Sequence, residues 1–387
     1  MKKQLLTSTA LVAAGAIAFS GAALAKRPTL TVGGYAAQVI GIGSNDAAFD
    51  EANGQRIGFD QHSDGEVHFS GSVTLDNGIR IRTRVELESN SEPSVQGGGG
   101  VNGGAAAGNM DTIDEHWMRI SGSFGEIRFG SMDAAGQTMT TGYLGTWGTG
   151  VGQLLAFDTG DWISSPGTVS SSTVGRVDLS SDAENVSYYT PRMSGFQLGV
   201  SFIPSSQEDV NNQRTLSGSG DTDGWSFGAN YVGKFGGANI GVAAGYAFAN
   251  ESTVDRDDPN VWAVAGRVDV GPIRVQASWH ERDDQKAIST GLTAAAGQET
   301  FEAGVRYLQG ANAYSLTFLS SETTGTVGAT TADETEVMHV AYRRTLGPGV
   351  TWHVTAMFAD HNDGAAGAVA SASNSGEALT THLTVRF

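Results

Sequence analysis

The stretch HWMRISGSFGEIRFGSMD, residues 116–133, alternates polar and apolar residues on both sides of a glycine-rich turn. In its second half, Glu126 and Arg128 share one face, and Ile127 and Phe129 share the other. Because successive side chains of a β-strand point to opposite faces, this pattern predicts two antiparallel strands with one polar and one apolar face. The alternation then stops, and a long segment rich in Gly, Ser and Thr follows.

The same period of two recurs along the rest of the chain. For example, GIRIRTRVELE, residues 78–88, places Arg80, Arg82 and Arg84 on one face and apolar side chains on the other. Most alternating segments have about nine to eleven residues, which is the length that a tilted strand needs to cross a bilayer. We predict sixteen strands, near residues 29–41, 65–75, 78–88, 113–122, 125–130, 184–190, 195–203, 224–232, 238–249, 260–269, 272–282, 299–309, 311–320, 335–345, 349–360 and 377–387.

Short and long connections alternate between these predicted strands. Seven connections are tight turns and eight are long and polar, as sixteen up-and-down strands require when both termini lie on the short-turn side. All eight prolines fall at strand margins or in connections, where no ladder hydrogen bond is lost. A β-protein can cross a membrane only when its hydrogen-bonded ladder closes on itself. We therefore predict an all-β transmembrane barrel of sixteen antiparallel up-and-down strands, with lipid outside and water inside.

The two ends and the composition of the chain indicate where the protein works. Residues 1–25 combine two lysines, a short apolar run and a final Ala-Leu-Ala, which predicts a cleaved signal peptide followed by a single domain over residues 26–387. The formal net charge of −18 argues against nucleic acid as a partner and favours attraction of cations. The chain has no cysteine, which excludes disulfides and thiolate metal sites.

Three stretches of the chain form a set: residues 116–133, DAENVSYYTPRMSGFQLGVSF at 182–202, and the terminal THLTVRF, which ends in Phe387. Together they resemble general bacterial porins, the sixteen-stranded trimeric diffusion porins of the Gram-negative outer membrane. The resemblance implies a homotrimer that contacts outer-membrane lipid and lipopolysaccharide and is recognised by the barrel-assembly machinery through Phe387. It also implies that the third external loop, at about 131–183, folds inward as a constriction loop.

The same resemblance implies that acidic residues of this loop face a ladder of arginines on the barrel wall. The implied pore-constriction residues are Arg80, Arg82, Arg84, Arg119, Arg128, Asp133, Asp158 and Asp161. Two features depart from the family: Ser131 stands where members often have an arginine, and LGTWGTGVG, residues 144–152, replaces the usual loop-tip turn. From the residues alone, the arginines of 78–88 could also form a solvated strand face balanced by Glu86 and Glu88.

Several short motifs match other kinds of site but lack the required context. GWSFG, residues 224–228, matches a serine-hydrolase elbow, yet Ser226 lies within an alternating strand rather than between a strand and a helix. No catalytic residue and no cofactor is predicted. The loop carboxylates Asp255, Asp257 and Asp258 could hold a divalent cation such as Ca²⁺, although a solvated loop explains them as well.

These observations favour an outer-membrane channel for passive diffusion of small hydrophilic solutes and ions, and not an enzyme. The acidic composition predicts a mild preference for cations. A substrate-specific channel is also compatible with the sequence, for example for sugars that slide along Tyr143, Trp147 and Trp162. An outer-membrane hydrolase that uses Ser226 and a soluble periplasmic β-sandwich are two further alternatives.

Overall fold

The computed structural model describes the barrel and parts of its connections. The described residues are 27–54, 58–89, 113–143, 149–151, 159–167, 169, 176–206, 221–250, 258–283, 297–324, 332–364 and 372–387. The predicted signal peptide, residues 1–25, and the candidates Trp147, Asp158, Asp255 and Asp257 lie outside these ranges.

Sixteen strands form one closed antiparallel barrel, which confirms the predicted fold class. The strands are β1 Thr29–Asn45, β2 Phe59–Thr74, β3 Arg80–Glu88, β4 Ile113–Gly122, β5 Gly125–Ser131, β6 Glu184–Tyr189, β7 Phe196–Ser205, β8 Thr222–Phe235, β9 Ala238–Asn250, β10 Asn260–Val270, β11 Ile273–Asp283, β12 Gly297–Gln309, β13 Asn312–Thr324, β14 Ala332–Gly347, β15 Val350–Asn362 and β16 Asn374–Arg386. Each strand pairs with its neighbours in the chain, and β1 pairs with β16 to close the ring.

Among the described residues, short helical segments lie in two of the connections. Helix α1, Ala47–Asn53, joins β1 to β2. The connection from β5 to β6 contains helix α2 at Ala135–Thr140, a 3₁₀ turn at Thr141–Tyr143, and helix α3 at Thr159–Trp162. Within the described ranges, no helix has both the length and the apolar character needed to cross a membrane.

The two faces of the strands differ as the alternation requires. On β13, Tyr314, Leu316 and Phe318 point outward and are exposed, whereas Ser315 and Thr317 point inward and are buried. The same pattern of exposed apolar and buried polar residues recurs around the ring. An outer face of this kind would be unfavourable in water, and it suits the hydrocarbon of a bilayer.

Strands β1 and β2 extend farther than the sequence pattern predicts. The predicted ends near residues 41 and 65 were set by the polar composition of 42–64, but the ladder continues until Ile42 is opposite Phe59. Because the barrel leaves no free edge on these strands, their backbone groups pair with a neighbour even where the side chains are polar.

Candidate functional site

The connection between β5 and β6 lies against the inner wall of the barrel. Its first described part packs on β7, β8 and β9 through α2. The N–H of Ala135 donates to Ser201 Oγ at 2.7 Å. The N–H of Gly136 donates to Ser226 Oγ at 2.8 Å. A Cβ on Gly228 would come within 2.5 Å of Ala135 O, so the close approach of α2 requires glycine at this position of the wall.

The middle of the connection is held by side chains of the opposite wall. Three arginines, on β10, β12 and β14, donate hydrogen bonds to backbone oxygens of the connection. These pairs are Arg267–Gly142 at 3.0 Å, Arg306–Thr149 at 3.1 Å, and Arg343–Gly150. His353 on β15 adds a contact of 2.9 Å between its Nδ1 and Val151 O. Because a carbonyl oxygen is uncharged, these bonds hold the connection without neutralising the arginines.

The later described parts of the connection contact two regions of the wall, first β1 with β13 to β16 and then β11. Trp162 and Ile163 pack in an apolar cluster with side chains of β1 and of β13 to β16. Farther along the connection, His280 Nε2 on β11 lies 2.5 Å from Arg176 O. The described parts of the connection therefore line much of the lumen between β7 and β1.

Three of the predicted ladder arginines form a row across adjacent strands: Arg82 on β3, Arg119 on β4 and Arg128 on β5, here called the first arginine group. Arg82 is directly opposite Arg119, and Arg119 is directly opposite Arg128. Such like-charged neighbours repel each other. Glu126 offsets part of this repulsion, because its Oε1 lies 3.1 Å from Arg119 Nε and 2.5 Å from Arg128 Nε.

The other two predicted ladder arginines have different surroundings. Arg84 lies with its Nε 2.6 Å from Glu86 Oε1, and its Nη2 lies 2.6 Å from His68 Nδ1. Arg80 is exposed at the beginning of β3. The structure thus brings together the row on β3 to β5, while Arg84 belongs to a separate group of charges farther along β3.

A second arginine group lies on the lumen face of β10 to β14, and the sequence pattern did not single it out. It comprises Arg267, Arg274, Arg306 and Arg343. Asp269 Oδ1 lies 2.6 Å from Arg274 Nε and 3.4 Å from Arg306 Nη2. Each of these arginines falls on the polar face of its strand and within four residues of a tight turn, which is a signal that the sequence already contains.

Several carboxylates lie close together where the β5–β6 connection begins after β5 and ends before β6. We call Asp133, Asp178, Asp182 and Glu115 the acidic root. Burial raises the pKa of Asp133 to about 7, with smaller contributions from the charges of Asp178 and Glu115, while the charge of Arg176 opposes the rise. Burial, followed by the charge of Asp133, also raises the pKa of Asp182 well above its usual range. Burial in this acidic surrounding therefore favours the protonated forms of Asp133 and Asp182.

Three other residues of the connection are sequence candidates: Asp161 for the constriction, and Tyr143 and Trp162 for an aromatic slide. Asp161 is exposed on α3, whose main contacts are with β1 and β15, whereas the arginine row lies on β3 to β5. Tyr143 and Trp162 are buried between the connection and the wall, at 8% and 5% exposure. Within the described residues they do not form a continuous aromatic surface for a sugar.

The remaining sequence candidates are also located by the structure. Ser226 is buried on the lumen face of β8 and accepts the hydrogen bond from Gly136, so its hydroxyl is not presented as a nucleophile. Asp258 is exposed just before β10. A different set of metal-ligand types, Glu66, His68 and Glu86, has donor atoms within 4.8 Å of one another.

Comparison with solved structures agrees with this architecture. An anion-selective porin from Comamonas acidovorans is 15% identical, and the match covers 93% of this chain and 100% of that chain with a TM-score of 0.60. OmpT, an outer membrane protein of Vibrio cholerae in its trimer form, is 8% identical, with 94% and 100% covered and a TM-score of 0.59. A mutant of the Rh. blastica porin is 13% identical, with 93% and 100% covered and a TM-score of 0.53. At these identities the likeness concerns the fold.

The sequence itself matches one family over most of its length. No curated protein matches the chain. The family model described as Gram-negative porin matches residues 7–364. This range includes the arginine row, the acidic root and fifteen of the sixteen strands. The chain therefore belongs to the Gram-negative porin family.

Proposed function

We propose that this porin forms a water-filled channel through which small hydrophilic solutes and ions diffuse passively. As a Gram-negative porin, the chain is an outer-membrane β-barrel of a family of channels. The observation that carries the proposal is the closed barrel of sixteen strands with polar side chains inside, because a ring of this size is wide enough for an aqueous lumen. The contacts of the β5–β6 connection with the inner wall support its role as the constriction.

Single-channel recording in a planar bilayer tests this function. Purified protein is expected to produce stepwise, long-lived conductance increments in KCl, and vesicles that contain it are expected to swell in small sugars but not in large polymers. Protein that has been heat-unfolded before addition serves as the control. Folded protein that produces neither conductance nor swelling would contradict the proposal.

We also propose a homotrimer, which the trimer form of Vibrio cholerae OmpT supports. Conductance steps that close in threes, together with the mass of the native oligomer, would test it. Contacts with outer-membrane lipid and lipopolysaccharide, and recognition by the barrel-assembly machinery, stay predictions. Phe387 supports the last of these: the residue is 63% exposed, while its backbone pairs with Gly34.

The ion preference proposed for the channel is a mild preference for cations. The net charge of −18 and the formal charge of the acidic root support it. The two arginine groups act against it, and one solved relative is named an anion-selective porin. The zero-current potential in a KCl gradient, with the dilute solution on the extracellular side, measures the preference. A clear anion preference under that condition would show that the arginine groups dominate.

A sugar-specific channel and a hydrolase receive less support from the structure. The buried rings of Tyr143 and Trp162 weigh against an aromatic slide for sugars, and saturation of the conductance by one sugar would be needed to revive it. The hydrogen bond of Ser226 to Gly136 weighs against a hydrolase. A divalent cation near Asp258 stays a prediction that calorimetric titration with Ca²⁺ would test.

A further inference from the structure

Lumen-facing charges are sorted along the axis of the barrel. The first and second arginine groups together form a basic zone within four residues of the tight-turn end of their strands. The acidic root, with Glu86 and Glu88 on β3, forms an acidic zone nearer the long-loop end. Short turns are periplasmic and long loops are extracellular in outer-membrane barrels, so the basic zone faces the periplasm.

Individual strands show the same order of charges. On β3, Arg82 lies near the tight-turn end and Glu88 lies at the other end, on the same face. Three further strands repeat this order, with the arginine nearer the tight turn in the pairs Arg119 and Glu115, Arg306 and Glu302, and Arg343 and Asp333. Four strands from two sides of the barrel therefore carry the same axial separation.

The opposite charges found inside each zone do not cancel it. In the basic zone, Glu126 is shared by two arginines of the first group, and Asp269 is shared by two of the second. Both groups therefore keep a net positive charge. In the acidic zone, Arg84 pairs with one carboxylate of β3, Arg176 lies among several carboxylates, and Arg282 donates to a backbone oxygen of the acidic root. By formal charge, the six carboxylates that define this zone outnumber these three arginines, and the raised pKa values of Asp133 and Asp182 make this excess larger above neutral pH.

The distance between the zones is comparable with the range of electrostatic interactions in dilute salt. Four residues of a strand span about 13 Å, which is about 10 Å along the axis of a barrel whose strands tilt by about 40°. The Debye length is about 10 Å at 0.1 M salt and about 3 Å at 1 M. At about 0.1 M, the zones therefore act on ions as two successive regions of opposite sign.

We propose that this axial separation of charge makes the open channel rectify ionic current, with the larger current when the extracellular side is positive. The proposal rests on the proposed function as a channel. With that polarity, cations enter through the acidic zone and anions through the basic zone, so both accumulate where the zones meet. With the opposite polarity, both ions are drawn away from this junction, and the conductance falls.

Rectification is measured on single open channels at voltages too small to close them. In about 0.1 M KCl, we expect the current ratio at equal and opposite voltages to be about 1.5 or more, and in about 1 M KCl we expect it to approach one. The chain has no cysteine, so a Gly237→Cys label in the exposed β8–β9 turn can mark the periplasmic side for a bulky reagent. Channels that conduct with a ratio of one in the dilute salt would overturn the inference alone, whereas absence of conductance would overturn the proposed function.

Two matched pairs of variants test the residues themselves. Arg82→Gln is expected to lower the current ratio, because it removes a charge from the basic zone. Arg344→Gln, which removes the same charge from the exposed outer face of β14, is expected to leave the ratio unchanged. Glu88→Gln in the acidic zone and Glu336→Gln on the outer face form the second pair. Equal effects within both pairs would overturn the assignment of rectification to the lumen charges.

The zero-current potential supplies an independent readout. Selectivity is set mainly where screening is weakest, which is on the dilute side of a gradient. We expect a stronger cation preference with the dilute solution on the extracellular side than with the gradient reversed. Potentials of equal size for the two directions would contradict two separate zones even if the channel conducts well.

Discussion

At the scale of single residues, the acidic root shows how the environment sets the charge of the lumen. Asp133 is one of the carboxylates that the resemblance assigns to the constriction, but burial and its acidic neighbours make its charge sensitive to pH near neutrality. Formal charge therefore overstates the negative charge at this point. The negative charge of the acidic zone increases as the pH rises through about 7, because Asp133 then loses its proton.

Asp133→Asn is expected to flatten the pH dependence of stability. The raised pKa means that the folded chain binds this proton more tightly than the unfolded chain, so the group favours folding below about pH 4 and loses this contribution as the pH rises through about 7. Between about pH 4 and 8, the unfolding temperature should fall less in the variant, by about 5 °C, because a pKa of about 7 in the folded state corresponds to about 4 kcal/mol. Asp161→Asn, an exposed aspartate of the same connection, is the control. Parallel declines in all three proteins would contradict the assignment.

Arg306→Gln is expected to loosen the middle of the β5–β6 connection. Arg306 joins Thr149 O to Asp269, and the shorter glutamine cannot maintain both contacts. Loss of a charged hydrogen bond costs about 1.5–3 kcal/mol, so the open-channel current noise should rise and the unfolding temperature should fall. Arg344→Gln supplies the control on the outer face. Noise that matches the wild type would show that Arg306 does not position the connection.

These residues also show what can be predicted from sequence. The period of two placed Arg82 and Arg128 on the lumen face, because strand geometry alone decides the face. It missed the roles of Arg306 and Arg343, because their partners are backbone oxygens of a connection far away in the sequence. The location of Asp161 was equally inaccessible, since the path of a long connection depends on tertiary contacts that no local pattern encodes.

At the scale of elements, the exit of the chain from β5 depends on one glycine. Gly130 has φ of 133°, and a Cβ on it would lie 2.1 Å from His116 O on β4. The position therefore requires glycine both for backbone conformation and for space. It also explains why the alternation of the stretch 116–133 stops where it does: the strand ends just after this glycine, and the connection then crosses to the lumen.

Gly130→Ala is expected to be strongly destabilising. The methyl group must either displace the β4 backbone or force β5 out of register, and alanine at positive φ adds a backbone cost of about 1 kcal/mol or more. Heat-modified mobility in electrophoresis and the yield of folded barrel measure the loss. Gly160→Ala in α3, where a Cβ would meet no atom within 4 Å, should fold normally. A folded Gly130→Ala barrel with unchanged mobility would contradict this account of the exit.

At the scale of the whole molecule, the barrel has an apolar outer face that suits lipid and a polar inner face that suits water. Exposed apolar residues point outward on every side of the ring, and polar and charged residues point inward. The outer face is therefore stable only in lipid, and the inner face requires water. The axial sorting of charge adds a second, independent order to the lumen, because it runs along the strands and not across them. A soluble β-sandwich would explain neither property.

The loss of unfolding free energy caused by an outward-facing arginine should depend on its height along the barrel. This dependence reports where the bilayer surrounds the barrel. Leu316 lies near the middle of β13, and Leu316→Arg should lower the free energy of unfolding by about 2–4 kcal/mol. Leu346 lies at the tight-turn end of β14, and Leu346→Arg should lower it by about 1 kcal/mol or less. Both leucines are exposed on the outer face, at 45% and 54%, so burial within the protein does not separate them. Reversible unfolding from lipid vesicles by guanidinium chloride measures the two costs. Equal costs would show that lipid does not surround the middle of β13, because only a hydrocarbon layer of finite thickness makes the penalty depend on height.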